Sequence, residues 1–452
     1  MISSNYKITL IMLITILNGY AIGQDNEIIK SAEKRAGLAA AEVIGNNILV
    51  WSYDRYLRED NYSFLIGWRT VETNFRKGFI WDPNNFGTNF FAHPYHGSLY
   101  FNAARTNGFN YWESIPFVFA GSMMWEIGME SEFPSFNDLI ATTFGGISLG
   151  EVLFRFSEQI LDDRSSGLER AGREFAGAVV NPIGALNRLI NGNMFYHSTE
   201  VNHIRNRIKG YAASAGPGRV SGTDIGVTEF SPAIEMTINY GEPLNNIKNR
   251  KPFDHFTFRF WTSKRDSGRN LTILTRAVLA GKSVGAESGK NHLLGVYQYY
   301  DFFDQETFKI GALSYGMAFL SQFNLPGRIK LSIQPAVAGI LLGAGSNEYV
   351  NSYQGRNYNY GQGVKGKLDL SLEHPRFGLI YADYNYFALN TLDGEPGLDI
   401  LHVFYANYLI KIIWRIGLGL EYFYYHRDAS YLNNPDVVKL IRGLRVLVTY
   451  HF

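Results

Sequence analysis

The sequence of 452 residues contains no cysteine. Disulfides, thiol nucleophiles and cysteine metal sites are therefore excluded, and so is a lipoprotein anchor, which needs a cysteine after the export signal. The chain also lacks an excess of either charge. With 42 Lys and Arg against 41 Asp and Glu, its formal net charge is +1, which argues against a nucleic-acid binder. Charged residues make up only 18%, below the usual quarter. Past the N-terminus, no apolar run reads as long enough to span a bilayer as a helix. The longest candidate, "IPFVFAGSMMWEIGM", carries Glu126. These features speak against a helical inner-membrane protein.

Aromatic residues, in contrast, are abundant at 15%. The first residues read as a secretory signal peptide over 1–23. Lys7 supplies the positive start, Ile8 to Leu17 an apolar stretch too short to span a bilayer, and Ala21 and Gly23 the small residues before the cut. An exported, aromatic-rich chain without membrane helices leaves two classes, a soluble periplasmic protein or an outer-membrane barrel.

The C-terminal part favours the barrel. Phe230, Ile234, Met236, Ile238 and Tyr240 share one parity, and Glu229, Ser231, Glu235, Thr237 and Asn239 the other. Val364, Leu368, Leu370 and Leu372 alternate with Lys365, Lys367, Asp369, Ser371 and Glu373. Ile416, Leu418, Leu420, Tyr422 and Tyr424 alternate with Gly417, Gly419 and Glu421. Successive side chains of a strand point to opposite faces, so each run is apolar on one side and polar on the other. The runs are longer than the strands of soluble sandwiches, tyrosines and phenylalanines crowd their ends, and the chain closes on an alternating strand ending at Phe452. Tight connections ("EHPR", "KIIW", "NLPG") alternate with mostly longer ones ("GAGSNEYVNSYQGRNYNYG", "NTLDGEPG", "HRDASYLNNPD"), as short periplasmic turns and external loops do. Carrying the alternation back to a first strand near His203 to Ser214 gives about twelve strands.

The N-terminal part reads as helical. Helices are expected over Glu33 to Leu57, over "ESIPFVFAGSMMWEIGME", from Ser135 through "NDLIATTFGGISLGEVLFRFSEQIL", and over "IGALNRLIN". Asn181 caps the last, Pro182 opens it and Gly192 closes it. Gly146 and Gly150, four apart, invite a close neighbouring helix. The aromatic, glycine-rich stretch "NFRKGFIWDPNNFGTNFFAHPYHG" reads as irregular.

Chemistry-bearing residues concentrate around "HPYHGSLYFNAAR", His93 to Arg105. Three readings arise. His93 and His96 could hold an ion with Glu126 or Glu130 as third ligand, but no recognised zinc signature is present and Pro94 suggests a turn. His93 or His96 could serve as base to Ser98, Ser114 or Ser122, but no nucleophile elbow appears. The reading preferred from the residues is a buried polar network. Glu151 and Arg155 have helical ion-pair spacing, Arg170 and Glu174 repeat it in reverse, Asp138 belongs to a helix-capping pattern, and Arg105 could reach Glu126 or Glu130. Such groups are costly alone and tolerable when paired.

The stretch "TNFFAHPYHGSLYFNAARTNGFNYWES…WEIGMESEFPSFNDLIATTFGGISLGE" resembles a domain-of-unknown-function family of exported outer-membrane proteins from Bacteroidota-type bacteria. The "HPYHG" and "SFNDL…GG…GE" elements carry the resemblance, which covers roughly Asp54 to Arg188. It implies an outer-membrane location and no activity, so it assigns no catalytic residue.

The expected molecule is thus α+β: a signal peptide (1–23), an all-α plug or cap domain (24–195), and an antiparallel transmembrane β-barrel of about twelve strands (196–452). Its expected role is in envelope structure, assembly or transport. The alternative is a membrane-embedded hydrolase acting on lipid or lipopolysaccharide through His93, His96, Glu126 and Glu130. No metal and no cofactor are expected. Outer-membrane lipid and an envelope protein are the expected partners, and nucleic acid is not.

Overall fold

A computed structural model describes residues 33–58, 64–198, 208–223, 225–244, 249–264, 268–284, 291–349 and 355–451. The signal segment lies outside the described residues. Among the described residues, seven helices precede a closed antiparallel barrel of twelve strands, as the alternation and the apolar helix patterns predict.

The first two strands are each broken by a proline. β1 comprises Ile208–Gly216 and Gly218–Gly222, interrupted at Pro217. β2 comprises Ile225–Phe230 and Ala233–Tyr240, interrupted at Ser231 and Pro232. Proline cannot donate to the ladder, yet pairing resumes on both sides because the proline carbonyls still accept. Val446 N bonds to Pro217 O at 3.0 Å and Lys264 N to Pro232 O at 3.2 Å. The remaining strands are β3 (Phe256–Lys264), β4 (Arg269–Val284), β5 (Asn291–Asp304), β6 (Lys309–Leu325), β7 (Ile329–Ser346), β8 (Tyr358–His374), β9 (Gly378–Asp393), β10 (Gly397–Ile413), β11 (Ile416–Tyr431) and β12 (Val437–His451). Each pairs with its sequence neighbours, and β12 pairs back onto both halves of β1. Closure leaves the barrel without a free edge.

Most strands are longer than the alternating runs suggest, reaching 18 residues in β7. "NTLDGEPG" and "HRDASYLNNPD" read as loops because they are polar. Most of each continues the ladder, so the connections shrink to residues 394–396 and 432–436.

One face of every strand closes the lumen. Arg259 of β3 donates to Glu235 of β2 at 2.6 Å and to Glu421 of β11 at 3.2 Å, and Arg445 of β12 donates to Glu421 at 2.6 Å. Arg276 of β4 pairs with Asp369 of β8. Lys367 pairs with Asp383, and Lys365 with Asp301 at 2.5 Å. Strands β3 and β11, or β4 and β8, lie too far apart along the wall for outward side chains to meet, so these residues point inward. Phe308, between β5 and β6, stacks on Tyr425 with ring centroids 3.9 Å apart. Such side chains fill the interior.

The opposite parity faces outward. Val364, Leu418, Leu420, Leu444, Val446 and Val448 are exposed. Tyr384, Tyr386, His402, Tyr424 and His426 form a contiguous ring cluster on the same face of β9 to β11. A closed barrel with an apolar outside and a charged inside is a membrane-spanning structure of the outer-membrane type. The protein is an integral outer-membrane barrel in contact with lipid.

The seven helices are α1 (Ala36–Leu57), α2 (Trp68–Lys77), α3 (a π turn Thr88–Ala92 running into His93–Thr106), α4 (Tyr111–Gly128), α5 (Phe136–Ile160, with a π turn at Ala141–Gly145), α6 (Gly167–Val180) and α7 (Pro182–Ile190). They pack along the wall. Tyr300 of β5 donates to Phe90 O at 2.5 Å, Tyr111 donates to Gln298 at 2.9 Å, and Phe156 packs on Phe256 and Phe258 of β3. Gln298 and Tyr300 have the parity opposite to Tyr299 and Asp301, which turn to the lumen. On β6, Leu313 and Tyr315 meet the helical region, while Met317 and Phe319, next on the same face, are exposed. The register between β5 and β6 is unbroken. The helices therefore meet the wall through strand residues of the outward parity, and the strands' own side chains fill the lumen; the expectation was a plug or a cap.

Three helical segments differ from the sequence reading. α2 and α6 were not expected, and much of the stretch read as irregular is helical. Pro94 falls within the first turn of the α-helical part of α3, where the missing N–H costs nothing because the preceding π turn has already shifted the bonding. α5, by length and composition, is apolar enough to cross a membrane, which the sequence reading did not expect. Its Leu, Ile, Val, Phe and Ala residues give that character, and most of it is buried against its neighbours.

Candidate functional site

Two polar centres lie in the helical region, and they are built on opposite principles. The first is fully neutralised. Glu151 on α5 is 0% exposed and takes Arg105 of α3 in a bidentate grip at 2.7 and 3.2 Å, together with Arg155 at 2.7 Å. Arg155 continues to Tyr240 OH at 3.3 Å and Pro252 O at 3.0 Å, tying α5 to the barrel. Burial pushes the Glu151 carboxyl up, but the two guanidinium groups outweigh it and hold the group below its ordinary range. A smaller network joins Arg170 to Glu174 at 2.9 Å and brings in Arg188 and Asp163. The spacing of Glu151 with Arg155 and of Arg170 with Glu174 gives the pairs found. Arg105 does not reach Glu126 or Glu130; it crosses to Glu151 of α5 instead.

The second centre has no fixed cation. His93 enters it from the start of the α-helical part of α3, Glu126 from the last turn of α4, Glu130 from just beyond it, and Asp138 from the start of α5. Glycines let these helices meet. A Cβ on Gly97 would stand 1.9 Å from Thr142 O, and one on Gly121 would stand 2.8 Å from the Tyr100 ring. Ser135 caps α5 by accepting from Asp138 N at 3.1 Å. Its own hydroxyl donates to the Asp138 carboxyl at 2.7 Å, and its N–H donates to Glu126 at 2.8 Å. His93 Nε2 lies 3.4 Å from Asp138 Oδ1, and its Nδ1 lies 3.2 Å from Thr142 Oγ1. Glu130 accepts from Trp125 Nε1 at 2.6 Å, and its carbonyl is held by Asn74 of α2 at 2.9 Å.

No lysine or arginine pairs with Glu126, Glu130 or Asp138 among the described residues. Burial, reinforced by Asp138 and Glu130, pushes Glu126 well above the ordinary carboxylate range. Burial raises Glu130 to about 8 against the pull of His93, and burial with Asp82 raises Asp138. Burial lowers His93 and takes His96 down to about 3.

His93, Glu126 and Asp138 converge, and Glu130 stands beside them, but His96 does not join. Its Nε2 lies 2.9 Å from Tyr100 OH, which in turn donates to Asn47 of α1, and the edge of its ring faces Trp125. The serine candidates do not complete a hydrolase. Ser98 and Ser114 donate to backbone carbonyls at 2.6 and 2.8 Å, and the Ser122 hydroxyl has no hydrogen-bond partner among the described residues. None of the three bonds to either histidine. Sequence reasoning missed Asp82, Asn89 and Asn137. Asp82 accepts from Asn84 N at 2.8 Å and from Asn89 at 2.9 Å, its N–H donates to Asn137 at 2.9 Å, and Asn89 bonds to Tyr358 at 2.7 Å. The signal was the Asx-rich "WDPNNFGTN", whose side chains hydrogen-bond nearby backbone instead of leaving it irregular.

Both centres fall in one stretch of chain with its own pattern of histidine, acid and glycine. Residues 78–183 match a domain of unknown function, DUF3943. The DUF3943 segment thus contains His93, Glu126, Glu130, Asp138 and Glu151, while α1, α2 and the barrel lie outside it. The sequence matches no curated protein. Among solved structures, the chain is similar to the NanC porin (9% identity, TM-score 0.29), covering 53% of this chain and 98% of that one. It is also similar to the translocator domain of the autotransporter NalP from Neisseria meningitidis (14% identity, TM-score 0.24), covering 56% and 90%. A third is an anion-selective porin from Comamonas acidovorans (9% identity, TM-score 0.24), covering 54% and 98%.

Proposed function

We propose that this protein is a structural scaffold of the cell envelope, whose filled barrel fixes the DUF3943 segment at the outer membrane without conducting solutes. The observation that carries this reading is the set of ion pairs across the lumen, from Arg259 to Glu421 and from Arg276 to Asp369. A conducting path would have to part buried charges from their partners, and leaving such a charge unpaired costs about 3–5 kcal/mol. The mounting of the helices supports the same reading. Glu151, Arg155 and Tyr240 bind the helical region to the wall, so the barrel acts as its base. The reading assigns an envelope protein partner to the helical region, whose outer side exposes Leu49, Tyr53 and Leu57.

The test is electrical. The purified, folded full chain, added to planar lipid bilayers, is expected to give no reproducible conductance steps. Regular ohmic steps from the unaltered protein would overturn the scaffold reading and make the lumen a channel.

A further inference from the structure

We propose that His93, Glu126 and Asp138 form a binding site for one divalent transition-metal ion of the zinc class. This goes beyond the scaffold reading, does not depend on it, and reverses the sequence-based expectation of no metal.

The geometry is that of a ligand set. Each residue offers one donor atom, and the three donors lie within 4.8 Å of one another, all in buried side chains. The 3.4 Å from His93 Nε2 to Asp138 Oδ1 is close to the edge of a tetrahedron with metal–ligand bonds of about 2.0–2.1 Å. One imidazole with two carboxylates suits a borderline ion of this class, whereas calcium and magnesium prefer all-oxygen sites.

A second observation points to a ligand independently. Glu126 is 2% exposed, and among the described residues its Oε1 has no hydrogen-bond partner while its Oε2 takes the Ser135 N–H. Buried polar atoms are almost always satisfied. The neighbouring Glu151 shows how this fold treats a buried acid it means to neutralise: two arginines hold it. At Glu126 and Asp138 that compensation is missing, and a doubly charged ion would supply it.

The surroundings orient the donors. Thr142 engages His93 Nδ1, which leaves Nε2 directed at Asp138. Ser135 and Asn137 donate to the Asp138 carboxyl at 2.7 and 2.8 Å. Hydrogen-bonded outer partners of this kind fix ligand orientation in metal sites. The two π turns end just before His93 and begin just after Asp138. Such turns recur at functional sites, where they re-aim side chains.

The experiment uses the full chain purified in detergent, stripped with a chelator, desalted and incubated with zinc. Elemental analysis is expected to find about one zinc per chain. His93→Ala and Asp138→Asn should each lose it, and His96→Ala should keep it. Thr142→Val, which removes only the bond to Nδ1, should weaken zinc binding about 10- to 100-fold. Heat-modifiable migration checks that each barrel is folded. Cobalt(II) added to the stripped, unaltered protein gives a check free of folding effects, because a site of this kind produces visible d–d absorption that zinc abolishes. Less than a tenth of an equivalent of zinc and no cobalt absorption in the unaltered chain would overturn the proposal. So would undiminished binding in the His93→Ala and Asp138→Asn variants. A channel found in the bilayer test would leave this result standing, so the two readings fail separately.

Discussion

Gly97 of α3 and Gly146 of α5 cross with their backbones in contact: a Cβ built on Gly146 would lie 2.6 Å from Gly97 Cα, and one on Gly97 would overlap Thr142 O at 1.9 Å. Thr142 is the residue that orients His93, so this crossing sets the second polar centre. Gly97→Ala forces backbone apart where no flexible side chain can yield, at a cost of about 1–3 kcal/mol or more. We expect limited proteolysis to cut the helical region of this variant faster while the barrel still runs heat-modifiably. Unchanged protease resistance would mean that the crossing is looser than it stands here.

Glu151→Gln tests the neutralised centre. The substitution keeps an acceptor but leaves Arg105 and Arg155 buried without their counter-ion, which costs about 3–5 kcal/mol. Because Arg155 also reaches Tyr240, the helical region should loosen from the wall. We expect its amides to exchange faster with deuterium, together with those around Tyr240, Pro252 and the start of β3, where Arg155 and Phe156 hold it. A variant with unaltered exchange in both would show that the arginines find other partners.

The two faces of β8 should respond differently. Val364 is outward and exposed near the middle of the strand, so Val364→Arg places a charge in lipid at a cost of about 2–4 kcal/mol. Asp369 is inward and paired with Arg276 and Lys367. Asp369→Asn preserves the acceptor for Tyr381 but takes from Arg276 the carboxylate it pairs with, so it too should slow assembly. The double variant Asp369→Asn with Arg276→Met should recover assembly, whereas no inward change should rescue Val364→Arg. Assembly is read from the heat-modifiable fraction in outer membranes. Rescue of both single variants, or of neither, would contradict the assigned facing.

The barrel was legible because its signal is local. Alternation along "VKGKLDLSLE" or "RIGLGLEYFYY" requires only that each strand have two unlike faces, and it yields facing, strand number and membrane location together. The berth of the helices was not legible. Tyr300 and Gln298 look like any outward strand residues, and only contact with Phe90 and Tyr111 shows that protein, not lipid, covers them. Within the helical region, the spacing of Glu151 with Arg155 predicted a real pair, since four residues make one turn. Arg105 was assigned to the wrong acids because sequence distance carries no direction between helices. His93 and Asp138 lie 45 positions apart in sequence, and their meeting depends on two π turns and a glycine crossing, which leave no periodic trace. Their grouping with Glu126 could be suspected from residue types, but His96, equally eligible by type, turns out to serve Tyr100.

The last prediction concerns pH. Glu42 on α1 is 8% exposed, accepts from Asn107 at 2.9 Å and Asn187 at 3.1 Å, and keeps Oε1 without a partner. Burial raises its pKa to about 7 from 4.5, with the two asparagines and Arg35 opposing the rise. The folded state therefore favours the protonated form more than the unfolded chain does. Below pH 4.5 both states hold the proton, and Glu42 contributes no pH dependence. As pH climbs toward 7 the unfolded chain ionises first, and the helical region loses stability, by about 3 kcal/mol once both forms are ionised. Glu42→Gln keeps an acceptor for Asn107 and Asn187 and cannot ionise. It should match the unaltered protein near pH 4.5 and exceed it at pH 8, with the gap opening between those values. Other buried acids, Glu130 among them, titrate in both proteins and cancel in the comparison. Protease susceptibility of the helical region across that range, at constant ionic strength, gives the measurement. A variant less stable than the unaltered protein at pH 8 would mean that Glu42 is ionised and usefully paired in the folded state, contrary to its burial and its unpartnered oxygen.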